Sequence, residues 1–137
     1  MKERIYNEGQ LIKEKLVEIS DYIYNNPELG NEEYKAVEAL TTFLKEHGFE
    51  IECPYAGMET AFKATFDSGK PGKTVGYLCE YDALPEIGHG CGHNMIGPIS
   101  SGAGVALSKV LSEIGGKVIV YGTPAEETNG GKVILTE

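Results

Sequence analysis

Apolar residues recur at Ile12, Leu16, Ile19 and Ile23, the three-to-four spacing of a single helical stripe. Asn7, with Gln10 three residues on, is placed to cap that stripe, so the pattern predicts a helix from Asn7 to about Tyr24. Asn25-Asn26-Pro27-Glu28-Leu29-Gly30 breaks it. Asn31 reads as the next cap, with Glu32 and Glu33 in the first turn, where the helix dipole favours acids. Val37, Leu40 and Leu44 make the second stripe, and Gly48 ends it. Two short strand candidates follow, Phe49–Cys53 and Thr60–Phe66. The run Val75-Gly76-Tyr77-Leu78-Cys79 is nearly continuous in apolar residues, as in a strand covered on both faces. Residues 96–114 read as helical in their second half, with Ala103, Ala106, Leu107, Val110, Leu111 and Ile114 on one side and Gly115-Gly116 as the stop. Val118-Ile119-Val120-Tyr121 lies in another buried strand, Lys117–Gly122, and Asn129–Leu135 could begin a further helix.

The strand–helix–strand unit over 73–122 implies a right-handed crossover and a parallel pair. The expected fold class is therefore α/β, one domain over residues 1–137, with a mainly parallel sheet flanked by helices.

Composition sharpens the picture in two ways. The net charge of −9 lacks the Lys/Arg clusters that nucleic acid and anionic membranes reward, so neither is an expected partner. The three cysteines, Cys53, Cys79 and Cys91, are odd in number and irregular in spacing, unlike a disulfide framework. With no apolar run of transmembrane length and no signal-like segment after Met1, the reading is a cytoplasmic chain with thiols free for chemistry.

The chemistry concentrates in two places. His89-Gly90-Cys91-Gly92-His93-Asn94 follows the Thr74–Tyr81 strand, and Pro124-Ala125-Glu126-Glu127 follows the Lys117–Gly122 strand. Thiolate, imidazole and carboxylate are the side chains that hold zinc-like metals. Groups just past the carboxyl ends of neighbouring strands converge on one crevice. Cys91 and His93, two residues apart, can face one ion, while His89 would crowd it. In extended backbone Glu126 and Glu127 would point to opposite sides, so that one carboxylate binds the metal and the other takes a proton from water. Asp82, just after the first strand, could orient a ligand from behind.

Each feature also has a plainer reading. Cys91 could be a buried structural cysteine beside a hydrogen-bonded histidine, the second Glu pair could be solvated surface, and Asp82 could be a turn residue. Glu32-Glu33 reads as helix-start charge only, and His47 as a helix-end residue. A Cys91–His89 nucleophile pair would be a different chemistry, but it leaves Glu126 and Glu127 without a task.

Glu80-Tyr81-Asp82-Ala83-Leu84-Pro85, Gly88-His89-Gly90-Cys91-Gly92-His93-Asn94 and Gly122-Thr123-Pro124-Ala125-Glu126-Glu127 together closely resemble the M20 metallopeptidase family. Within it the match is to the amidohydrolase-like branch that uses Cys-Gly-His, the group of the aminobenzoyl-glutamate hydrolases and related dipeptidases. Pro27-Glu28-Leu29-Gly30 with Glu32-Glu33 is similar to that branch's N-terminal signature.

The resemblance implies Cys91, His93 and Glu127 as metal ligands, Glu126 as general base and Asp82 as the carboxylate that supports the ligands. It leaves Glu80, which stands where other branches carry a ligand histidine, without an assigned role. It implies a divalent metal, zinc or manganese with cobalt possible, and hydrolysis of an amide bond in a small N-acyl amino acid or dipeptide. It also implies that the chain is the N-terminal portion of a zinc-peptidase-like catalytic domain. The lid that dimerises the parent enzyme and the C-terminal half with its further histidines would lie outside it. Such a piece is expected to self-associate and to be nearly inactive alone. A metal-binding or interaction unit without turnover would use the same ligands.

Overall fold

The computed structural model describes residues 1–136. Two helices, α1 (Lys2–Leu11) and α2 (Lys13–Asn25), replace the single N-terminal helix, and Asn7 lies inside α1 instead of capping it. The Ile12 N–H bonds to Gly9 O, a three-residue closure that ends α1, and Leu16 N–H bonding to Ile12 O starts α2. The stripe read from the sequence is real: Ile19 and Ile23 are buried and Ile12 and Leu16 pack against the core. No residue of α1 is buried; Arg4 ties it to Glu113.

α3 (Tyr34–Glu46) starts later than expected. Asn31 is not its cap but a turn residue with φ of 70°. The cap comes from upstream, where the Glu28 carboxylate accepts the N–H groups of Lys35 and Ala36, each at 2.9 Å. Val37, Leu40, Phe43 and Leu44 are buried, each contributing about 1.5–3 kcal/mol of hydrophobic stabilisation.

Four strands, β1 (Glu50–Glu52), β2 (Phe62–Asp67), β3 (Thr74–Cys79) and β4 (Lys117–Gly122), form one sheet in the order β1-β2-β4-β3. The α/β class and the parallel pairing of β3 with β4 match the sequence reading. The sheet is mixed, however, and not mainly parallel: β1–β2 and β2–β4 are antiparallel. β2 enters antiparallel because no helix crosses over between β1 and β2, and only a crossover returns a strand in the same sense.

One face of the sheet carries the core. Phe62, Ala64, Val118, Val120 and Cys79 are buried there beneath α2, α3 and α4 (His93–Ser108). The expectation that β3 is covered on both faces fails. β3 is the end strand, and Leu78 on the opposite face is 53% exposed; Val75, on the core side at the start of the strand, is 38% exposed. The helix expected over 96–114 is α4 followed, after a turn at 109–110, by α5 (Leu111–Ile114). α4 begins well ahead of the half of that segment that the pattern marks as helical, because Gly92 in the left-handed region (φ 85°) turns the loop directly into it. A short α6 (Gly131–Ile134) follows β4. Among the described residues no helix is long and apolar enough to cross a membrane.

Candidate metal centre

The parallel register aligns Cys79 with Gly122, so β3 and β4 end together at one edge of the sheet. Their continuations stay paired for one more step, Thr123 N–H to Cys79 O at 2.9 Å. Glu80, Tyr81 and Asp82 leave the first strand there, and 123–127 leave the second. Cys91 and His93 reach the same point from the loop that enters α4. The Asn94 side chain donates to Ser20 Oγ at 3.0 Å, anchoring the start of α4 to α2.

Asp82 is fully buried and fixes both halves of the site. Its Oδ1 faces His93 Nδ1 at 2.9 Å, and its Oδ2 accepts the Glu127 N–H at 2.9 Å. A carboxylate only accepts, so Nδ1 carries the proton and Nε2 is the nitrogen turned to the site, where a neutral ring would present its lone pair. That nitrogen faces Glu80 Oε2 at 3.2 Å, Glu126 Oε2 at 3.7 Å and Glu127 Oε1 at 3.9 Å. A lone pair aimed at three carboxylates is repulsive unless a cation or a proton sits between them.

Two overlapping sets of ligand atoms result, each within 4.8 Å: Cys91, His93 and Glu127, and Glu80, His93 and Glu126. Lys132 on α6 pairs with Glu80. Burial, with the Glu127 carboxylate beside it, pushes the Cys91 thiol up. Thiol, imidazole and carboxylates at these separations suit a divalent metal of the zinc or manganese class, so the residues present fit the group that the sequence implies.

The structure thus brings together Cys91, His93, Glu126, Glu127 and Asp82, and adds Glu80, whose role the sequence left open. It does not support the Cys91–His89 pair. His89 is buried, with neither ring nitrogen hydrogen-bonded among the described residues, and the Cys91 sulfur lies over Asp82 O at 3.7 Å. Glu126 and Glu127 do not point to opposite sides. Residue 125 is not extended: Ala125 has a positive φ of 56°, and the turn it opens swings both carboxylates toward His93. A non-glycine residue in that region costs about 1–3 kcal/mol and persists only when its surroundings hold it.

One of the groups bonded to this turn is a residue that sequence reasoning passed over. Glu33 is fully buried, and its Oε1 accepts the Ala125 N–H at 2.8 Å. Burial pushes its carboxyl above the usual range. The available signal was a second acid beside Glu32 at a helix start already provided with Glu28.

No family model matches the chain. It is 42% identical to the Xaa-Arg dipeptidase of Mus musculus, an alignment that takes in 90% of this chain and 32% of the dipeptidase. It is 34% identical to a p-aminobenzoyl-glutamate hydrolase polypeptide of Escherichia coli, over 90% of this chain and 29% of that protein. In fold it superposes on a dinuclear metal binding peptidase of the M20 family from Bacillus subtilis with a TM-score of 0.80 at 22% identity, covering 93% of this chain and 39% of that one. The homologues are thus peptidases and amidohydrolases, and the chain spans about a third of the length of the curated relatives it matches.

Proposed function

We propose that this chain carries the metal centre and general base of an M20-type amidohydrolase, acting on the amide bond of a dipeptide or a small N-acyl amino acid. The observation that carries the reading is the His93 Nε2 atom facing three carboxylates and, through the Cys91–His93–Glu127 set, a thiol. The names of the relatives support the substrate class.

In this reading Cys91, His93 and Glu127 hold the ion. Zinc fits the thiolate best, and manganese or cobalt suits the carboxylates. A bound divalent ion would acidify water and polarise the substrate carbonyl. Asp82 keeps the proton on His93 Nδ1, so the free nitrogen faces inward, and its hold on the Glu127 N–H fixes that ligand's backbone. The Glu126 backbone is not tied to Asp82, and its carboxylate is free to take a proton from the attacking water and deliver it to the departing amine. Glu80, held by Lys132, presents a further carboxylate to the same space.

The same reading takes 1–137 as the N-terminal portion of the catalytic domain, working with residues from elsewhere in a longer protein. The edge of β3, unpaired among the described residues, and the open sheet face around Leu78 support self-association of the portion alone. The three cysteines are unpaired, which fits a reducing cytoplasm.

The test is hydrolysis of dipeptides and N-acyl amino acids by a protein of the relatives' full length that contains this sequence, with zinc, manganese or cobalt. Glu126→Gln is expected to keep its metal and lose about 10²–10⁴-fold in turnover, the usual worth of a positioned base. Loss of metal in that variant would instead make Glu126 a ligand. Metal uptake without hydrolysis by the unsubstituted protein would favour a binding unit.

A further inference from the structure

The proposed reaction leaves one buried acid without a task. Glu33 is fully buried, in front of α3, far in sequence from both ligand clusters. α3 does not need it as a cap, because the Glu28 carboxylate already serves the Lys35 and Ala36 N–H groups. Burying a carboxylate is costly, and an apolar residue of the same size would be cheaper there.

Its surroundings show what it touches. The segment from Pro27 to Glu33 braces both loops of the metal centre. The Glu28 carbonyl accepts the Ala83 N–H at 2.8 Å, one residue from Asp82. Gly30 lies so close to the second loop that a Cβ there would sit 2.9 Å from Ala125 Cα. The Asn31 amide donates to Asn129 Oδ1 at 3.2 Å. Glu33 supplies the innermost contact, its Oε1 accepting the Ala125 N–H at 2.8 Å. That N–H belongs to the residue whose φ of 56° turns Glu126 and Glu127 toward His93.

We propose that Glu33 is a positioning residue: by accepting the Ala125 N–H it holds the 124–127 turn in the shape that aims Glu126 and Glu127 at His93. Its effect on metal binding rests on the reading given under Proposed function; its effect on the turn does not. Ala125 cannot be kept in the left-handed region by its own side chain; Gly130 N–H to Ala125 O (2.8 Å) closes the far side of the turn and Asp82 holds it two residues on, at the Glu127 N–H, which leaves the Ala125 N–H itself to Glu33.

Hydrogen exchange of the metal-free chain, read amide by amide, tests the proposal on three proteins. Glu33→Met fills the space without an acceptor, and Glu33→Gln keeps an oxygen that can accept the same bond. Glu33→Met is expected to raise exchange at Ala125 and the amides that follow to residue 130 about tenfold, the worth of one net hydrogen bond. The amides of β3 and β4 should keep their protection, and Glu33→Gln should stay within about threefold of the unsubstituted chain. Cobalt(II) titration of the same proteins should show a loss of about 10–100-fold in affinity for Glu33→Met, recovered in Glu33→Gln.

Unchanged exchange at 125–130 in Glu33→Met would overturn the proposal, and so would a Gln variant as unprotected as the Met one. If Glu33→Met does not fold, the unsubstituted chain still decides: an Ala125 amide that exchanges as fast as those of exposed loops carries no such bond. Cobalt binding that is indifferent to Cys91→Ser and Glu127→Ala would sink the metal reading alone, and the exchange result would still judge Glu33.

Discussion

At the scale of single residues the site is a problem of charge, solved by orientation. Asp82 touches no reacting atom, yet it fixes the ring of His93 and the backbone of Glu127 at once. That Cys91, His93, Glu126, Glu127 and Asp82 come to one place was legible in the sequence, because all lie past the carboxyl ends of two neighbouring strands; the roles proposed for them came from the family resemblance. Glu33 was not legible, since the N–H that it accepts lies 92 residues away and nothing in Glu32-Glu33 distinguishes a buried acid from a solvated one. Its burial has a consequence for stability. The folded carboxyl is held above the ordinary value of 4.5, so folding favours the protonated form. The contribution is full below that value and is lost as pH rises through the raised folded value. Glu33→Gln has no such charge, so its melting temperature relative to the unsubstituted chain should climb as pH goes from about 4 to about 7. A difference that stays flat or falls would mean the carboxylate is not desolvated.

At the scale of elements, hydrophobic period was a good guide to what exists and a poor guide to where it ends. The stripes of α2 and α3 were readable from Ile19, Ile23, Leu40 and Leu44. The break at Ile12 was not, because a three-residue closure at Gly9 leaves no mark on the pattern. The sense of β2 was not readable either, since hydrophobic alternation is blind to strand direction. β3 misled for a physical reason: Leu78 is apolar but lies on the open face of an end strand. Close approach between elements is where glycine decides. At Gly122, the last residue of β4, a Cβ would run into the Phe62 ring and lie 2.7 Å from the Tyr81 hydroxyl. Tyr81 Oη also donates to Thr60 O at 2.5 Å, so that ring cannot yield freely. Gly122→Ala should cost about 1–3 kcal/mol by overpacking, read as a lower denaturant midpoint with an unchanged slope. A midpoint equal to that of the unsubstituted chain would show that Phe62 has room to move.

At the scale of the whole molecule, one face of the sheet is closed by helices and the other is half open. Leu78 is exposed there, Ile119 and Tyr121 are half-buried, and the outer edge of β3 has no partner strand among the described residues. Exposed apolar surface beside an unpaired edge favours association. Light scattering should find the 137-residue chain above its monomer mass of 14.8 kDa, and Leu78→Lys should lower that mass. A strictly monomeric chain would mean that the open face is tolerated by water. The proposed chemistry turns on Cys91, His93 and Glu127 forming one metal centre, and cobalt(II) absorption reports on that centre without an activity assay. Stoichiometric cobalt with a thiolate-to-metal charge-transfer band is predicted, the band vanishing in Cys91→Ser and the binding weakening in His93→Ala and Glu127→Ala. Cobalt bound without that band, or with equal strength in all three variants, would mean that these residues do not share an ion.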